Sequence, residues 1–163
     1  DPHLIPRILD RHSRLRIIGD GKNKVGICHV KNGAHAHLLA ADKLASDSVV
    51  AGRAYFITDA EPIMMWEWLN LVLERLGKTP IHRKISASMA YRLGIVMEFA
   101  WKTFGCAGEP FMTRFVARQL SSSHFYNLAA AETDLGYKEM VSPNVEFETM
   151  IQYFEEKIRK EAK

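Results

Sequence analysis

The sequence predicts a mixed α/β protein that is mainly helical and has a few short strands. Several stretches place apolar residues at helical spacing, and short runs rich in β-branched and aromatic residues lie between them. The chain has 163 residues, of which 47% are hydrophobic, and a chain of this size can bury roughly 70% of its unfolded surface in one core. One domain, or part of one, is therefore expected.

The first quarter of the chain predicts a helix, two strands and a second helix. Asp1 and Pro2 are typical of a helix start, and this helix is expected to run to about His12. In "RLRIIGDGKNKVGICHV", two β-rich runs flank a Gly-Asp-Gly turn, which predicts a hairpin or two strands joined by a tight loop. Asn32 is the predicted N-cap of a helix through "NGAHAHLLAADKLA".

The middle of the chain alternates strands and helices. "AYFITD" predicts a buried strand, and "EPIMMWEWLNLVLERLG" predicts an amphipathic helix with Pro62 near its start and Gly77 past its end. "IHRKIS" predicts another short strand, and "SASMAYRLGIVMEFAWKTFG" predicts a long apolar helix.

The last third is predicted to be largely helical. "EPFMTRFVARQL" indicates a loop that enters a helix, and "SSSHFYN" indicates a short strand. "LAAAETDLGY" predicts a helix that ends at Gly136, and a final helix is predicted to be capped by Ser142 with Pro143 at its first position.

Charge and cysteine usage exclude some classes of protein. The 22 basic and 19 acidic residues are dispersed along the chain, so we expect no nucleic-acid partner. Cys28 and Cys106 lie far apart without paired spacing, which favours a reducing compartment. The opening "DPHLIPRILDRHSR" is too charged for the apolar region of a signal peptide. A cytoplasmic protein is the expectation.

The histidines near Cys28 do not predict a metal site. His35 and His37 are two residues apart, so on a helix they point about 200° apart and cannot easily bind one ion together. A helical zinc pair needs i, i+4 spacing, which this segment lacks. We expect His29, His35 and His37 to be packed or surface imidazoles, and we predict no metal.

The long helix at 86–104 raises the question of membrane contact. Arg92, Glu98 and Lys102 interrupt its apolar run, so it falls short of the roughly 20 apolar residues that a membrane span needs. Burial against the rest of the protein is favoured for its wide apolar surface. Peripheral contact with a membrane is the open alternative.

Five blocks in a fixed order carry a resemblance to a known family. They are "DPHLIPRIL", "GDGKNKVGICHVKNGAHAHLLAADKL", "AGRAYFITDAEP", "EPFMTRF" and "SHFYNLAAAETDLGY". Together they resemble the carboxyl-terminal half of the extended short-chain dehydrogenases/reductases, in the 3β-hydroxysteroid dehydrogenase / sterol-4α-carboxylate 3-dehydrogenase group. The resemblance implies that residues 1–163 are the substrate-binding C-terminal region of an extended Rossmann-fold dehydrogenase whose nucleotide-binding half is absent.

The family's cofactor and catalytic motifs do not occur in this sequence. It has no GxxGxxG or GxGxxG turn, and only Tyr153 and Lys157 have the bare spacing of the family's YxxxK pair. We attribute that spacing to coincidence on the amphipathic last helix. The resemblance therefore implies that NAD or NADP binds in the complete protein, that this chain alone holds neither, and that it is not active alone.

The missing half has consequences for partners. In the family, the strand matching "AYFIT" belongs to the sheet of the nucleotide domain, so its neighbours would be absent. An unpaired strand leaves open N–H and C=O groups. We expect the N-terminal nucleotide-binding half as a partner, and a homodimer formed by this edge is an alternative.

The resemblance also implies site residues. Met112, Arg114 and Phe115 resemble a loop and helix that flank the family's substrate channel, where apolar groups suit a sterol or acyl body and an arginine suits a carboxylate. Leu4 and Ile5 resemble further substrate-binding residues. Asp1 resembles the last residue of a cofactor-facing GPxD turn. No catalytic residue is assigned.

The function implied is the substrate-binding part of an NAD(P)-dependent oxidoreductase. Its substrate would be a hydrophobic 3-hydroxy or 3-oxo compound, namely a steroid, a sterol acid or a β-keto acid. Two departures from the family pattern, Gly26 and Lys31, stand where the family usually has acidic residues. A non-catalytic lipid-binding or interaction module is one alternative. A nucleotide-sugar epimerase or reductase is another, disfavoured because Val25 occupies a position where that group has arginine.

Overall fold

The chain folds as two compact units in the computed structural model, which describes residues 4–45 and 48–161. Unit 1 comprises Asp1–Lys24 and Met64–His124, and unit 2 comprises Val25–Ile63 and Phe125–Lys163. Because the chain enters and leaves each unit twice, neither is a simple sequence segment. The expectation that residues 1–163 act as one substrate-binding region stays a prediction.

The architecture is α/β and mostly helical, as predicted. The helices are α1 (Leu4–Arg11), α2 (Val30–Lys43), α3 (Met65–Arg75), α4 (Ala87–Phe104), α5 (Arg114–Ser121) and α6 (Pro143–Glu161), with a 3₁₀ turn at His12–Arg14 and a π turn at Ala131–Leu135. The strands are β1 (Ile17–Ile18), β2 (Lys24–Val25), β3 (Ile63–Met64) and β4 (Lys84–Ile85).

Of the two alternatives predicted for residues 14–30, two strands joined by a tight loop is correct and a hairpin is wrong. β1 pairs in parallel with β4, while β2 pairs with β3. The Gly-Asp-Gly turn does form, with Gly19 and Gly21 at φ +83° and +82°. Its Asp20 Oδ1 accepts the Lys22 N–H at 2.8 Å. The turn was predicted correctly, but β1 and β2 each pair with a strand that lies far along the chain.

Three local predictions also need correction. Residues 54–59, predicted as a strand, form no strand among the described residues, because no neighbouring strand pairs with them. The predicted strand "SSSHFYN" is a single bridge at His124, whose N–H donates to Lys24 O at 2.9 Å. Helix α2 begins at Val30 and is capped by His29, whose side chain accepts the Lys31 N–H. Asn32 therefore lies inside the helix and is not its cap.

Unit 1 is built on an apolar core with two polar side chains that satisfy the main chain. Trp66 Nε1 donates to Leu120 O at 3.1 Å. The Asn70 amide accepts the Ile81 N–H at 2.8 Å and donates to its carbonyl at 3.2 Å, as a neighbouring strand would. The buried apolar residues are Ile5, Ile8, Ile17, Ile18, Trp66, Leu69, Val72, Leu73, Leu76, Ile81, Ala90 and Ala117.

Unit 2 has a separate apolar cluster around the π turn. Its buried members are Ala36, Val50, Ala131, Leu135 and Tyr137. The hydroxyl of Tyr137 donates to Thr58 O at 3.0 Å, and burial, the largest cause, raises the pKa of Tyr137 to about 12. This hydrogen bond attaches the chain after the π turn to residues 53–59.

A fully buried amide, Asn32, connects three segments of unit 2. Its Oδ1 accepts the N–H groups of Met140 at 2.9 Å and Val141 at 3.0 Å. Its Nδ2 donates to Asp59 Oδ1 at 2.8 Å, to Val141 O at 3.1 Å and to Glu146 Oε1 at 3.2 Å. One side chain of α2 thereby holds the loop before α6, the first turns of α6, and the end of residues 53–59.

Two carboxyl groups meet at this amide. Asp59 and Glu146 are 2% and 9% exposed, and Asp59 Oδ2 is buried without a hydrogen-bond partner in the described part of the chain. Burial raises the pKa of Glu146 to about 7, helped by the negative charge of Asp59, a hydrogen bond with it, and the charge of Glu139. Glu146 therefore holds its proton up to near-neutral pH, because two adjacent buried carboxylates repel.

We predict that Asn32→Ala lowers the free energy of unfolding by about 3 kcal/mol, because several buried donors and acceptors lose their partner at once. Urea unfolding measures the change. Asn144→Ala on the exposed side of α6 is the matched control and should change stability by less than about 0.5 kcal/mol. Equal effects of the two substitutions would show that Asn32 does not connect the unit.

We predict that unfolding becomes easier as the pH rises from about 4.5 to about 7. The pKa of Glu146 rises from 4.5 to about 7 in the folded chain, so in this interval the folded state keeps a proton that the unfolded state releases. Stability is full below the lower pH and falls by up to about 3 kcal/mol by the upper one.

Urea unfolding at a series of pH values tests this dependence. Glu146→Gln, which is neutral at every pH, should remove most of the decline. A decline of the same size in Glu146→Gln would assign it to another group.

Candidate functional site

An open cavity of about 540 Å³ lies in unit 1, where α4 ends and α5 begins. A pocket of this size can take a drug-sized ligand. Its walls are Glu98, Trp101, Cys106, Gly108, Glu109, Pro110, Thr113 and Phe115. We take this cavity as the candidate substrate site, because it includes one of the predicted site residues.

Local sequence signals place the two helices that form the cavity. Helix α4 is capped by Ser86, whose side chain accepts the Met89 N–H, and it is followed by Gly105 at φ +60°. Helix α5 is capped by Thr113, whose side chain accepts the Val116 N–H. The loop between them, residues 105–113, forms much of the cavity wall.

The helices approach each other at Gly94. A Cβ atom built on this residue would lie 2.6 Å from both Arg114 N and Thr113 C, which is closer than real atoms come. Only glycine permits this distance. The start of α5 therefore rests directly on the backbone of α4, one turn before Glu98.

An ion pair closes this contact. Glu98 Oε1 accepts the backbone N–H of Arg114 at 2.7 Å, and Glu98 Oε2 accepts from Arg114 Nε at 2.6 Å. The backbone hydrogen bond is the largest cause that lowers the pKa of Glu98. The hydrogen bond from Glu98 is the largest cause that raises the pKa of Arg114. The pair is partly exposed, so we assign it positioning of α5 more than stability.

The predicted substrate residues of this region lie at or near the cavity. Phe115 lines it and is 72% exposed, so its ring is open to a ligand. Arg114 is adjacent, but its Nε–H is already bound by Glu98. Met112 is half-buried and is not part of the cavity wall. Their roles toward a ligand remain predictions.

The predicted site residues at the start of the chain are placed differently. Ile5 is 4% exposed and belongs to the core of unit 1, where it is shielded from a ligand in solution. Leu4 begins α1, but its side chain lies outside the described residues. Asp1, predicted to face the cofactor, also lies outside them. Ile5 does not line the cavity.

The histidines and cysteines have structural surroundings. His29 caps α2, and His37 Nδ1 lies 2.8 Å from Gly33 O. Within residues 4–45 and 48–161, no three side chains of His, Cys, Asp or Glu are grouped so that they could hold a metal ion. Desolvation, followed by the charges of Asp59 and Glu146, raises the pKa of Cys28. Its thiol is therefore a poor nucleophile at neutral pH.

Sequence reasoning missed most of the residues that form the cavity. Glu98 was treated only as an interruption of an apolar helix, although an acid four residues after a glycine was the available signal. Trp101 was not singled out in the apolar helix. Its Nε1 is buried and makes no hydrogen bond to the described residues. Glu109 carried no signal.

The capped starts of α2, α4 and α5 do not form a dinucleotide cradle. Such a cradle needs free backbone N–H groups after a glycine-rich turn. Here the starts of α2, α4 and α5 are capped by His29, Ser86 and Thr113. These three helix starts do not fit a pyrophosphate, and we derive no cofactor step through them.

Comparison with known proteins finds relatives that are reductases or dehydrogenases by name. A 2-alkyl-3-oxoalkanoate reductase of Stenotrophomonas maltophilia (strain K279a) is 42% identical over 144 residues, which cover 87% of this chain and 44% of that protein. The 3beta-hydroxysteroid-dehydrogenase/decarboxylase isoform 1 of Arabidopsis thaliana is 39% identical, over 77% of this chain and 30% of that protein.

A mammalian protein and a solved structure extend the comparison. Sterol-4-alpha-carboxylate 3-dehydrogenase, decarboxylating, of Mus musculus is 30% identical over 94% of this chain and 44% of that protein. The crystal structure of gox2253 matches 83% of this chain and 38% of its own, with a TM-score of 0.52 and 25% identity.

The chain therefore spans less than half the length of these relatives. The sequence profile of the 3-beta hydroxysteroid dehydrogenase/isomerase family matches residues 3–86, which is just over half of the chain. The resemblance inferred from the sequence blocks is confirmed, and the chain belongs to the 3-beta hydroxysteroid dehydrogenase/isomerase family of oxidoreductases.

Proposed function

We propose that this chain is the substrate-binding part of an NAD(P)-dependent oxidoreductase that acts on a hydrophobic 3-hydroxy or 3-oxo compound. The observation that carries the proposal is the 42% identity to a 2-alkyl-3-oxoalkanoate reductase over 87% of this chain. The sterol and steroid names of other relatives support the same substrate class. All of them act on hydrophobic molecules by name.

The cavity supplies groups that suit such a substrate. Phe115, Pro110 and Trp101 offer apolar surface for a ring system or an acyl chain. Glu98 and Arg114 place a charged pair beside that surface. An incoming carboxylate would compete with Glu98 for the guanidinium. The role of this chain is then to bind and orient the substrate, while cofactor binding and proton transfer belong to residues outside it.

An open backbone edge at residues 54–57 supports pairing with the proposed nucleotide-binding half. The backbone N–H and C=O groups of residues 54–57 make no hydrogen bond to any other described residue. Burial alternates along this stretch, with Tyr55 and Ile57 half-buried and Phe56 60% exposed, which is typical of a strand with one face packed. We propose that a strand of the nucleotide-binding half pairs with this edge.

We predict that the chain alone shows no saturable binding of NADH or NADPH, and that a form extended upstream through the nucleotide-binding half binds one of them. The physical reason is that no glycine-rich turn occurs in this sequence, and the starts of α2, α4 and α5 are already capped by side chains. Fluorescence of the reduced nicotinamide measures binding. An upstream segment that lacks a glycine-rich turn, or an extended form that binds neither cofactor, would favour the non-catalytic module.

We predict that Arg114→Ala weakens binding of a fluorescent long-chain 3-oxo acid about tenfold, because one charge-assisted hydrogen bond contributes about 1.5–3 kcal/mol. Binding of the corresponding neutral ketone should be unchanged. Glu98→Gln should tighten binding of the acid, because it weakens the competing ion pair.

Arg118→Ala is the matched control, since Arg118 is another exposed arginine of α5 and lies over the ring of Tyr91. It should leave both affinities unchanged. If Arg114→Ala and Arg118→Ala alter the affinity for the acid equally, Arg114 has no specific role in recognising a carboxylate.

A further inference from the structure

The two units carry net charges of opposite sign. Unit 1 has 14 Lys and Arg residues against 7 Asp and Glu, whereas unit 2 has 8 against 12. The near balance of the whole chain therefore conceals a strongly basic unit. Within unit 1, residues 5–24 and 76–86 hold nine of the cations and only two acids, Asp10 and Asp20.

Six of these cations lie on α1, β1 and β4 or directly beside them. We call them the basic surface: Arg7, Arg11, Arg14, Arg16, Arg83 and Lys84. All are exposed except Arg16, which is half-buried. None of the six forms an ion pair with a carboxylate of residues 4–45 or 48–161. Their charges are therefore not offset within the described chain.

Strand pairing brings two of the arginines together. β1 and β4 run in parallel with Ile17 opposite Lys84, so Arg16 and Arg83 each directly precede the paired residues. The Ile17 N–H donates to the Arg83 carbonyl at 2.9 Å. Two cations at such neighbouring positions repel each other, and an anion bound between them would remove this repulsion.

Two of the cations are already held in place by neutral groups. Arg16 Nη1 donates to the carbonyl oxygens of Arg14 at 3.3 Å and Leu15 at 3.0 Å. Lys84 Nζ donates to Asp20 O at 3.1 Å. These carbonyl groups orient the two side chains without removing their charge. A partner therefore meets oriented cations, which lowers the entropy lost on binding.

The basic surface lacks the apolar groups that lipids or nucleic-acid bases need. Among the described side chains of residues 5–24 and 76–86, no large apolar one is exposed, and neither range contains Phe, Tyr or Trp. Bilayer surfaces are bound through inserted apolar side chains, and single-stranded nucleic acids stack their bases on aromatic rings. No helix in the described part of the chain has the length and hydropathy to span a bilayer.

We propose that the basic surface binds an acidic segment of a partner protein. Its Asp and Glu side chains would each accept two hydrogen bonds from an exposed guanidinium group. Arg7 and Arg11 are one helical turn apart, about 6 Å along α1, which is close to the spacing of alternate residues in an extended chain. The basic surface shares no residue with the cavity wall, so this proposal does not depend on the proposed function.

Two other occupants fit less well. Duplex nucleic acid is attracted by the net charge of a protein, and the net charge of the whole chain is only +3. A second copy of the chain would have to offer an acidic segment of unit 2. On α6, however, the exposed Glu155 and Glu156 are followed by the exposed Arg159 and Lys160, which weaken the negative charge there.

Fluorescence anisotropy of a labelled hexaglutamate peptide tests the proposal, with hexaglutamine as the uncharged reference. The full 163-residue chain, with folding checked by circular dichroism, should bind hexaglutamate saturably at an ionic strength of about 0.15 M and more weakly as salt is added. Arg14→Gln/Arg83→Gln should weaken binding about fivefold, because each exposed ion pair contributes roughly twofold to threefold in affinity. Arg14→Glu/Arg83→Glu should abolish it and bind hexalysine instead.

Arg159→Gln/Lys160→Gln on α6 is the matched control. It removes two exposed cations outside the basic surface and should leave the affinity for hexaglutamate unchanged. Equal losses in the two glutamine double variants overturn the proposal, as does binding that ignores salt.

Three further results would assign the basic surface to another occupant and so also overturn the proposal. Tighter binding of a duplex DNA than of hexaglutamate would indicate a nucleic acid. Self-association in sedimentation velocity that Arg14→Gln/Arg83→Gln removes would indicate a second copy. A form extended upstream that no longer binds hexaglutamate would show that its own additional residues cover the surface.

Discussion

The close contact of α4 and α5 at Gly94 is the constraint on which the candidate site depends. Because a methyl group at this position would overlap the main chain at Thr113 and Arg114, α5 can begin where it does only above a glycine. That placement delivers the Arg114 N–H to Glu98. It also turns the connecting loop outward, so that the loop and the ends of both helices enclose the cavity. A backbone contact, and no single ligand-binding residue, therefore sets the shape of the site.

In unit 2 the corresponding constraint is polar. Asn32 replaces main-chain pairing for the segment before α6, because its amide both accepts from and donates to Val141. The interior of unit 2 is thus held by the Asn32 amide, which lies between the carboxyl groups of Asp59 and Glu146. Glu146 keeps its proton near neutral pH. Such an arrangement specifies one geometry well, since every alternative leaves a buried donor or acceptor without a partner.

Signals that act over a few residues were predicted well, and signals that depend on distant partners were not. The start of α6 at Pro143 and the stops at Gly77 and Gly136 follow from local backbone chemistry. Helix α3 ends two residues before Gly77, and the π turn ends directly before Gly136. The hairpin failed because β1 pairs with β4, far along the chain. The prediction of Asn32 as the N-cap of α2 was wrong, because His29 is the cap. The actual role of Asn32 depends on Asp59 and Glu146, which are distant in the sequence. In the candidate site, Phe115 came from the family resemblance, whereas Glu98 became visible only when α5 was placed beside it.

Residues 54–59 show why a segment with a strand-like sequence pattern can form no strand. Their β-branched and aromatic residues alternate between half-buried and exposed as a strand requires, yet backbone groups of residues 54–57 have no partner among the described residues. Strand geometry is stabilised by ladder hydrogen bonds, which a segment cannot supply to itself. The relatives are more than twice as long as the matched region. We have proposed that a nucleotide-binding half provides the neighbouring strand. On that proposal, residues 54–59 form a strand only in the complete enzyme, and their open edge is the position at which the two halves meet.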